Sequence, residues 1–199
     1  IATLLTVCIS PLMVTFGSVL LKFEMLTGRL VIALIGALIG GVLLVGVDSI
    51  DGSNADLAIG TLFSLASAST YAGVVLSGRF LAAGYHPLQV TTVSFGSGTI
   101  ALLIANLITG VAAVHTPLSW GLLVYLGLVP TALAYWLFQA GLRSVSATAA
   151  SIVTLLEPTV AALLAWVLFG ESLRAAGFIG AVLMLMSIYV LSLEQRSGE

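Results

Sequence analysis

The sequence predicts an all-α integral membrane protein with seven transmembrane helices, and three observations carry that prediction. Hydrophobic residues make up 60% of the 199 residues and charged residues only 7%, whereas a soluble domain has about 25% charged residues. The apolar runs are about 20 residues long, which is the length of a bilayer-spanning helix. They do not show the ten-residue alternating pattern of a membrane β-barrel. A chain of this composition must satisfy its backbone hydrogen bonds internally, and helices of this length do so.

Seven apolar segments follow one another along the chain, and short polar stretches with turn-forming residues separate them. They span residues 1–21, 27–47, 57–78, 88–110, 118–141, 146–169 and 174–194. The longest polar stretch, DSIDGSNAD at 48–56, marks the boundary between two repeats. The loops are short, so neighbouring helices are expected to run antiparallel.

The basic residues predict the orientation of the chain in the membrane. With seven alternating helices, five of the six fall on one side, namely Lys22, Arg29, Arg79, Arg143 and Arg196, and only Arg174 falls on the other. Cytoplasmic loops carry an excess of Lys and Arg. We therefore expect a multi-pass protein of the cell membrane (inner or plasma membrane) with a cytoplasmic C terminus.

A segment near the start of the chain is repeated near its end. Pro11 is followed thirteen residues later by Glu24, and Pro158 is followed thirteen residues later by Glu171, at an offset of 147. At the same offset, identical partners are also found for Leu21, Leu26, Ile32, Leu38 and Leu44. Internal repeats in a helical membrane protein are typical of secondary transporters.

The two copies are expected to be inverted. They lie five helices apart, an odd number, so the loop KFEMLTGR falls on the inside and its partner FGESLR on the outside. This spacing sets the repeat at five helices, with a complete second repeat at 57–194, a C-terminal tail at 195–199, and only the last two helices of a first repeat at 1–47. The chain begins inside an apolar run at Ile1. We therefore expect a fragment that lacks three upstream helices.

Two stretches resemble the EamA family of the drug/metabolite transporter superfamily. The stretch SATAASIVTLLEPTVAALLAWVLFGESLRAAGFIGAVLMLMSIYVL, residues 146–191, is similar to the last two helices of that family. The stretch GLVPTALAYWLFQAGLRSVSA, residues 127–147, is similar to the preceding helix. The resemblance implies a ten-helix fold of two inverted five-helix repeats. It also implies transport of small metabolites or drugs, often coupled to protons or to exchange.

Glu157 is the leading functional candidate, because it lies near the middle of a predicted span. A carboxylate at that depth costs about 2.5–3.5 kcal/mol on insertion scales and usually marks a functional site. We interpret Glu157 as the group that couples transport to a proton or to the substrate. The alternative is a protonated side chain that hydrogen-bonds a neighbouring helix. Pro158 has no N–H and predicts a kink, and its repeat partner Pro11 predicts another, whereas the partner of Glu157 is Ser10.

Polar residues recur on single faces of several predicted helices. These faces consist of Ser64, Ser67 and Tyr71; Thr92, Thr99 and Asn106; Thr131, Tyr135 and Gln139; and Ser151, Thr154 and Glu157. From them we select Tyr71, Tyr135, Gln139, Ser67 and Thr154 as pathway residues alongside Glu157. The alternative is hydrogen bonding between helices, which is common for Ser and Thr in membranes.

The repeated glutamates and several glycines have structural interpretations. Glu24 and Glu171 each precede a helix, where a carboxylate can cap exposed N–H groups. Two pairs with small-xxx-small spacing, Gly36 with Gly40 and Gly60 with Ser64, predict close helix packing.

Other classes of protein are disfavoured. The basic residues form no patch for nucleic acid, and His86 and His115 lack metal-ligand spacing, so we expect no nucleic-acid partner, metal or cofactor. No Asp lies in a predicted helix, which argues against an intramembrane protease. The sequence therefore predicts a secondary transporter, and more specifically an exporter, whose partners are a small-molecule substrate and the lipid bilayer. The alternative is a non-transporting membrane subunit or scaffold, and proton coupling and homodimerisation stay open.

Overall fold

A computed structural model describes residues 2–45, 54–110, 116–170 and 175–196. All regular structure in these residues is helical. The helices are α1 (Ala2–Leu20), α2 (Gly28–Val45), α3 (Asn54–Leu81), α4 (Pro87–Thr109), α5 (Pro117–Leu126), a π-helical segment (Gly127–Leu133), α6 (Ala134–Gly141), α7 (Ala147–Thr154), α8 (Leu156–Phe169) and α9 (Ala175–Arg196). The predicted all-α membrane class is confirmed.

Five continuous or nearly continuous helical stretches have the length and composition of membrane spans. They are Ala58–Leu81, Pro87–Thr109, Pro117–Gly141, Ala147–Phe169 and Ala175–Leu193, and Cys8–Leu20 and Gly28–Leu44 are shorter apolar helices. These seven stretches correspond to the seven predicted segments. The boundaries differ most at α3, which begins at Asn54 and ends at Leu81, three residues beyond each end of the predicted segment. Asp56 therefore belongs to a helix and not to the predicted loop. None of residues 54–56 is Gly or Pro, so nothing in them stops the helix.

Helix ends follow local chemistry. Thr116 caps α5 and Ser146 caps α7, each accepting the backbone N–H three residues later. Gly110 and Gly170 end α4 and α8 in the left-handed conformation, which glycine adopts without strain. Lys22 adopts the same conformation after α1, with φ of 57°, although it carries a Cβ atom.

The chain divides into two compact units, Ile1–Leu76 with Ser146–Glu199, and Ser77–Val145. The first unit contains α1, α2, most of α3, α7, α8 and α9. In this unit, apolar side chains from five helices are fully buried, among them Val14, Ala33, Val75, Ile152 and Met184. This core holds α7 at its centre, since every residue from Ala147 to Ile152 is buried.

Helices α2 and α9 pack closely through small residues in the first unit. A Cβ atom on Gly36 would lie 2.5 Å from Ser187 Oγ, and one on Gly40 would lie 2.7 Å from the carbonyl oxygen of Gly180. The predicted packing at Gly36 and Gly40 is therefore confirmed. At Gly60 it is wrong within the described residues, because a Cβ there would meet no atom within 4 Å. As α2 advances from Gly36 to Gly40, its partner on α9 recedes from Ser187 to Gly180, so the two helices run antiparallel.

A π-helical segment that contains Pro130 interrupts the span Pro117–Gly141 in the second unit. Proline has no N–H for the carbonyl of Leu126, which lies four residues earlier. In the wider π-helical turn, that carbonyl instead accepts the backbone N–H five residues later, on Thr131. The hydroxyl of Thr131 also donates to the same carbonyl, at 2.8 Å.

Candidate functional site

The most unusual feature of the described residues is a division of one membrane span at Leu155, between α7 and α8. One backbone hydrogen bond tightens the chain there, because the Leu155 N–H donates to the carbonyl of Ile152, three residues earlier, at 3.1 Å. The side-chain hydroxyls of Ser151 and Thr154 also donate to carbonyls three residues earlier, at 2.8 and 2.7 Å, as Ser and Thr side chains do within regular helices. Pro158 then withholds the N–H that an α-helix would supply to Thr154. The span is thus two short helices joined near its middle.

The two Pro-Thr pairs in the described spans differ in where the threonine hydroxyl donates. At Pro130, the following Thr131 donates its hydroxyl to the carbonyl of Leu126 in its own helix. At Pro158, the following Thr159 donates instead to Met184 Sδ on α9, at 3.1 Å. Thr159 is only 2% exposed and Met184 only 1%. The Thr159 hydroxyl therefore joins α8 to α9.

Glu157 lies in the first turn of α8, directly after the division, and its side chain is exposed. Within the described residues it forms no ion pair or side-chain hydrogen bond. The N-terminal turn of a helix carries a partial positive charge, which favours a carboxylate. The neighbouring-helix hydrogen bond that we considered is not formed among these residues, and the arrangement leaves the carboxylate available to a ligand or proton.

Tyr71 and Thr154, two of the predicted pathway residues, are in direct contact. The half-buried Tyr71 on α3 donates its hydroxyl to Thr154 Oγ1 at 3.2 Å. Thr154 in turn donates to the carbonyl of Ser151, so a short chain of hydrogen bonds connects α3 to the division in the span. Ser67 lies one turn before Tyr71 on the same face of α3 and is exposed.

Tyr135 and Gln139 lie on α6 in the second unit. The Tyr135 ring packs edge-on against Phe95 of α4, with centroids 4.9 Å apart and an interplanar angle of 76°. Gln139 is 5% exposed. Its side chain packs on Gly78, where an added Cβ would lie 2.5 Å from Gln139 Oε1. Both side chains are held in place by close packing one and two turns after the π-helical segment.

The two repeated prolines differ in their surroundings. Helix α1 continues through Pro11, whereas the span that contains Pro158 is divided. Near Pro11, Ser10 Oγ and Thr15 Oγ1 donate to carbonyls four residues earlier, at 2.5 and 2.7 Å. Both are side-chain bonds within the continuous helix.

Glu24 caps a helix that is distant in sequence. Its Oε1 accepts the backbone N–H of Ala147 at 2.6 Å and that of Thr148 at 3.2 Å, at the start of α7. The helix that follows Glu24 is capped instead by Thr27, whose Oγ1 accepts the N–H of Leu30 at 3.2 Å. Glu171 lies outside the described residues.

Two features of this arrangement were not predicted from the sequence. One is the aromatic contact made by Phe95, which no spacing pattern indicates. The other is the π-helical segment, for which a signal exists: the Pro-Thr pair at residues 130–131 recurs at 158–159. The repeated pair marks both spans whose helices are irregular.

The apolar spans define a multi-pass helical membrane protein. Residues 58–193 match the model of the EamA-like transporter family, and the chain belongs to that family. The resemblance inferred from the sequence is thus confirmed.

Relatives with transporter names match across much of the chain. The uncharacterized transporter YwfM of Bacillus subtilis is 32% identical over 147 residues, covering 73% of this chain and 50% of its own length. An uncharacterized transporter of Archaeoglobus fulgidus is 32% identical over 136 residues, covering 68% and 48%. One of Clostridium kluyveri is 29% identical over 184 residues, covering 87% and 57%. The chain spans about half the length of the curated relatives it matches.

A solved crystal structure has the same fold. It superimposes with a TM-score of 0.81, covering 100% of this chain and 68% of its own, at 22% sequence identity. At that identity the likeness shows the fold alone.

Proposed function

We propose that this chain is part of a secondary transporter that exports small metabolites or drugs by alternating access between inverted five-helix repeats. The observation that carries the proposal is the exposed carboxylate of Glu157 at the division of a membrane span. In secondary transporters, substrate and coupling-ion sites lie near the midplane, where discontinuous helices present their ends to the ligand.

The packing of α2 and α9 supports inverted repeats. These helices are repeat partners at the offset of 147, and they run antiparallel where Gly36 meets Ser187 and Gly40 meets Gly180. Copies related by an axis in the membrane plane have this relationship, whereas copies inserted in the same orientation would give parallel partners.

Glu157 has the chemistry needed for coupling. A carboxylate binds either a proton or a cationic or hydrogen-bonding group of the substrate, so that one ligand displaces the other. Tyr71, Thr154 and Ser67 supply hydroxyl groups in the same unit that orient the substrate, with Tyr71 fixed by its bond to Thr154. Tyr135 and Gln139 are proposed as further pathway residues in the second unit.

Untargeted mass spectrometry of the culture medium tests this function. The complete coding sequence that contains this chain is expressed in cells lacking similar exporters, and wild type is compared with Glu157→Gln and with empty vector. We expect at least one compound to accumulate outside the cells only with wild type. If no compound changes in the medium although the protein reaches the membrane, the export proposal is wrong.

A further inference from the structure

The contact between Glu24 and α7 joins the two predicted repeats, because Glu24 lies in the first copy and α7 in the second. Its Oε1 accepts two backbone N–H groups, from Ala147 and Thr148. Hydrogen bonds from N–H groups to an ionised carboxylate are among the strong ones in proteins, and the positive end of the helix dipole strengthens them.

Glu24 completes the capping of α7. An α-helix begins with four N–H groups that have no partner inside the helix. In α7 the first two bind Glu24, the third binds Ser146 Oγ, and the fourth, on Ala150, binds the carbonyl of Ser146. Without Glu24, two N–H groups at the buried start of α7 would lack a partner in the described residues.

The contact is nevertheless incomplete. Glu24 Oε2 and Thr148 Oγ1 are both buried, and neither has a hydrogen-bond partner in the described part of the chain. Thr148 itself is 0% exposed. A buried polar atom without a partner destabilises the arrangement that contains it. The two unpaired oxygens therefore offset part of the free energy that the cap contributes.

The position of Glu24 fits a contact that opens and closes. Glu24 lies in the turn between α1 and α2, between Lys22 and Arg29, on the side that the basic residues predict to be cytoplasmic. When two repeats rock against each other, contacts between them at one membrane face must break while those at the other face form.

We propose that the carboxylate of Glu24 is a positioning residue that closes the cytoplasmic end of the pathway by binding the N terminus of α7, and that it releases α7 when this end opens. The inference rests on the proposed alternating access. Because α7 carries Thr154 and leads directly to Glu157, release of its N terminus moves the candidate site as well.

Cysteine accessibility tests the proposal without a known substrate. Cys8 is the single cysteine of the chain. Cys8→Ser, together with serine at any cysteine elsewhere in the complete protein, gives a cysteine-free background, and Ser67→Cys adds one thiol at an exposed position of the proposed pathway. The complete protein is labelled with a membrane-impermeant maleimide, from outside in intact cells and from the cytoplasmic face in inverted vesicles. Labelling is compared between Glu24 and the variants Glu24→Ala and Glu24→Gln.

We expect Glu24→Ala to change the two labelling rates in opposite directions, with a rise of at least fivefold from the cytoplasmic face and a fall from outside. Glu24→Gln keeps one acceptor oxygen without the charge, so a smaller shift of the same kind is expected, and it serves if Glu24→Ala fails to reach the membrane. Thr27→Ala is the matched control, because it removes a cap in the same turn whose acceptor binds the N–H of Leu30 on α2. It should leave the ratio of the two rates unchanged.

Other outcomes overturn the proposal in distinguishable ways. If both rates stay unchanged or move in the same direction in the Glu24 variants, Glu24 is a permanent cap and the inference is wrong, while the proposed pathway stands. If the Ser67→Cys thiol is labelled from neither face in any variant, the pathway is misplaced at Ser67, and the inference fails together with that part of the proposed function.

Discussion

The hydroxyl of Tyr71 donates to Thr154 Oγ1 at 3.2 Å. This bond connects α3 to the last residue of α7, directly before the division of the span at Leu155. These residues are separated by 83 positions in the sequence. The bond holds the end of α7 next to the face of α3 that carries Ser67, so it fixes the geometry around the helix division that we propose as the transport site.

Loss of this bond should weaken transport without unfolding the protein. Tyr71→Phe removes only the hydroxyl, and Thr154→Val removes its acceptor. A hydrogen bond of this kind contributes about 1 kcal/mol, or about a fivefold change in an equilibrium constant. We expect a several-fold higher KM for the exported compound in each single variant and little further change in the double variant. Ser69→Ala, which removes a bond within α3 only, is the control. Additive effects of the two single substitutions would show that the bond is not the cause.

The α2–α9 contact should not tolerate a methyl group. In Gly40→Ala the new Cβ would lie 2.7 Å from the carbonyl oxygen of Gly180 and 2.7 Å from Met184 Cγ, so the helices must separate. Overpacking of this kind costs about 1–3 kcal/mol. We expect a lower melting temperature in detergent. Gly73→Ala has open space around its Cβ and is the matched control. An equal loss of stability in both variants would contradict the packing account.

Lys22 should be replaceable by glycine with a gain in stability. Its φ of 57° places it in the left-handed region, where a Cβ atom costs about 1–2 kcal/mol. Lys22→Gly removes that cost, although the more flexible unfolded chain offsets part of the gain. Lys22→Ala removes the charge but keeps the Cβ atom, so it should give no gain. The melting temperatures of the two variants are compared with that of the wild type. A higher melting temperature in Lys22→Ala but not in Lys22→Gly would show that the Lys22 charge, and not its Cβ atom, destabilises the turn.

Much of this architecture could be predicted from the sequence, because membrane spans are encoded locally. The lengths of the apolar runs alone predict all seven helical stretches, and the spacing of Gly36 and Gly40 predicts a closely packed helix face. Partners distant in sequence could not be predicted in this way. Whether a threonine after a proline donates to its own helix, as Thr131 does, or to another helix, as Thr159 does to Met184, depends on how the neighbouring helix packs.

Glu24 illustrates the same limit. Its place before α2 predicted a cap on the next helix, since capping is usually local. The turn at Lys22 and the packing of the first unit instead bring its carboxylate to α7, 123 residues away. Tyr71 and Thr154 were both selected from polar faces of separate helices, yet no pattern within either helix could show that they touch.

The central claim is that Glu157 couples transport, and gradient-driven uptake into proteoliposomes tests it most directly. The complete protein is reconstituted as wild type, Glu157→Gln and Glu157→Asp, and accumulation of the exported compound is followed with and without a pH gradient. We predict that Glu157→Gln loses gradient-driven accumulation at an unchanged melting temperature, whereas Glu157→Asp, which keeps the carboxylate, retains part of it. A Glu157→Gln protein with the wild-type rate and pH dependence would contradict the account.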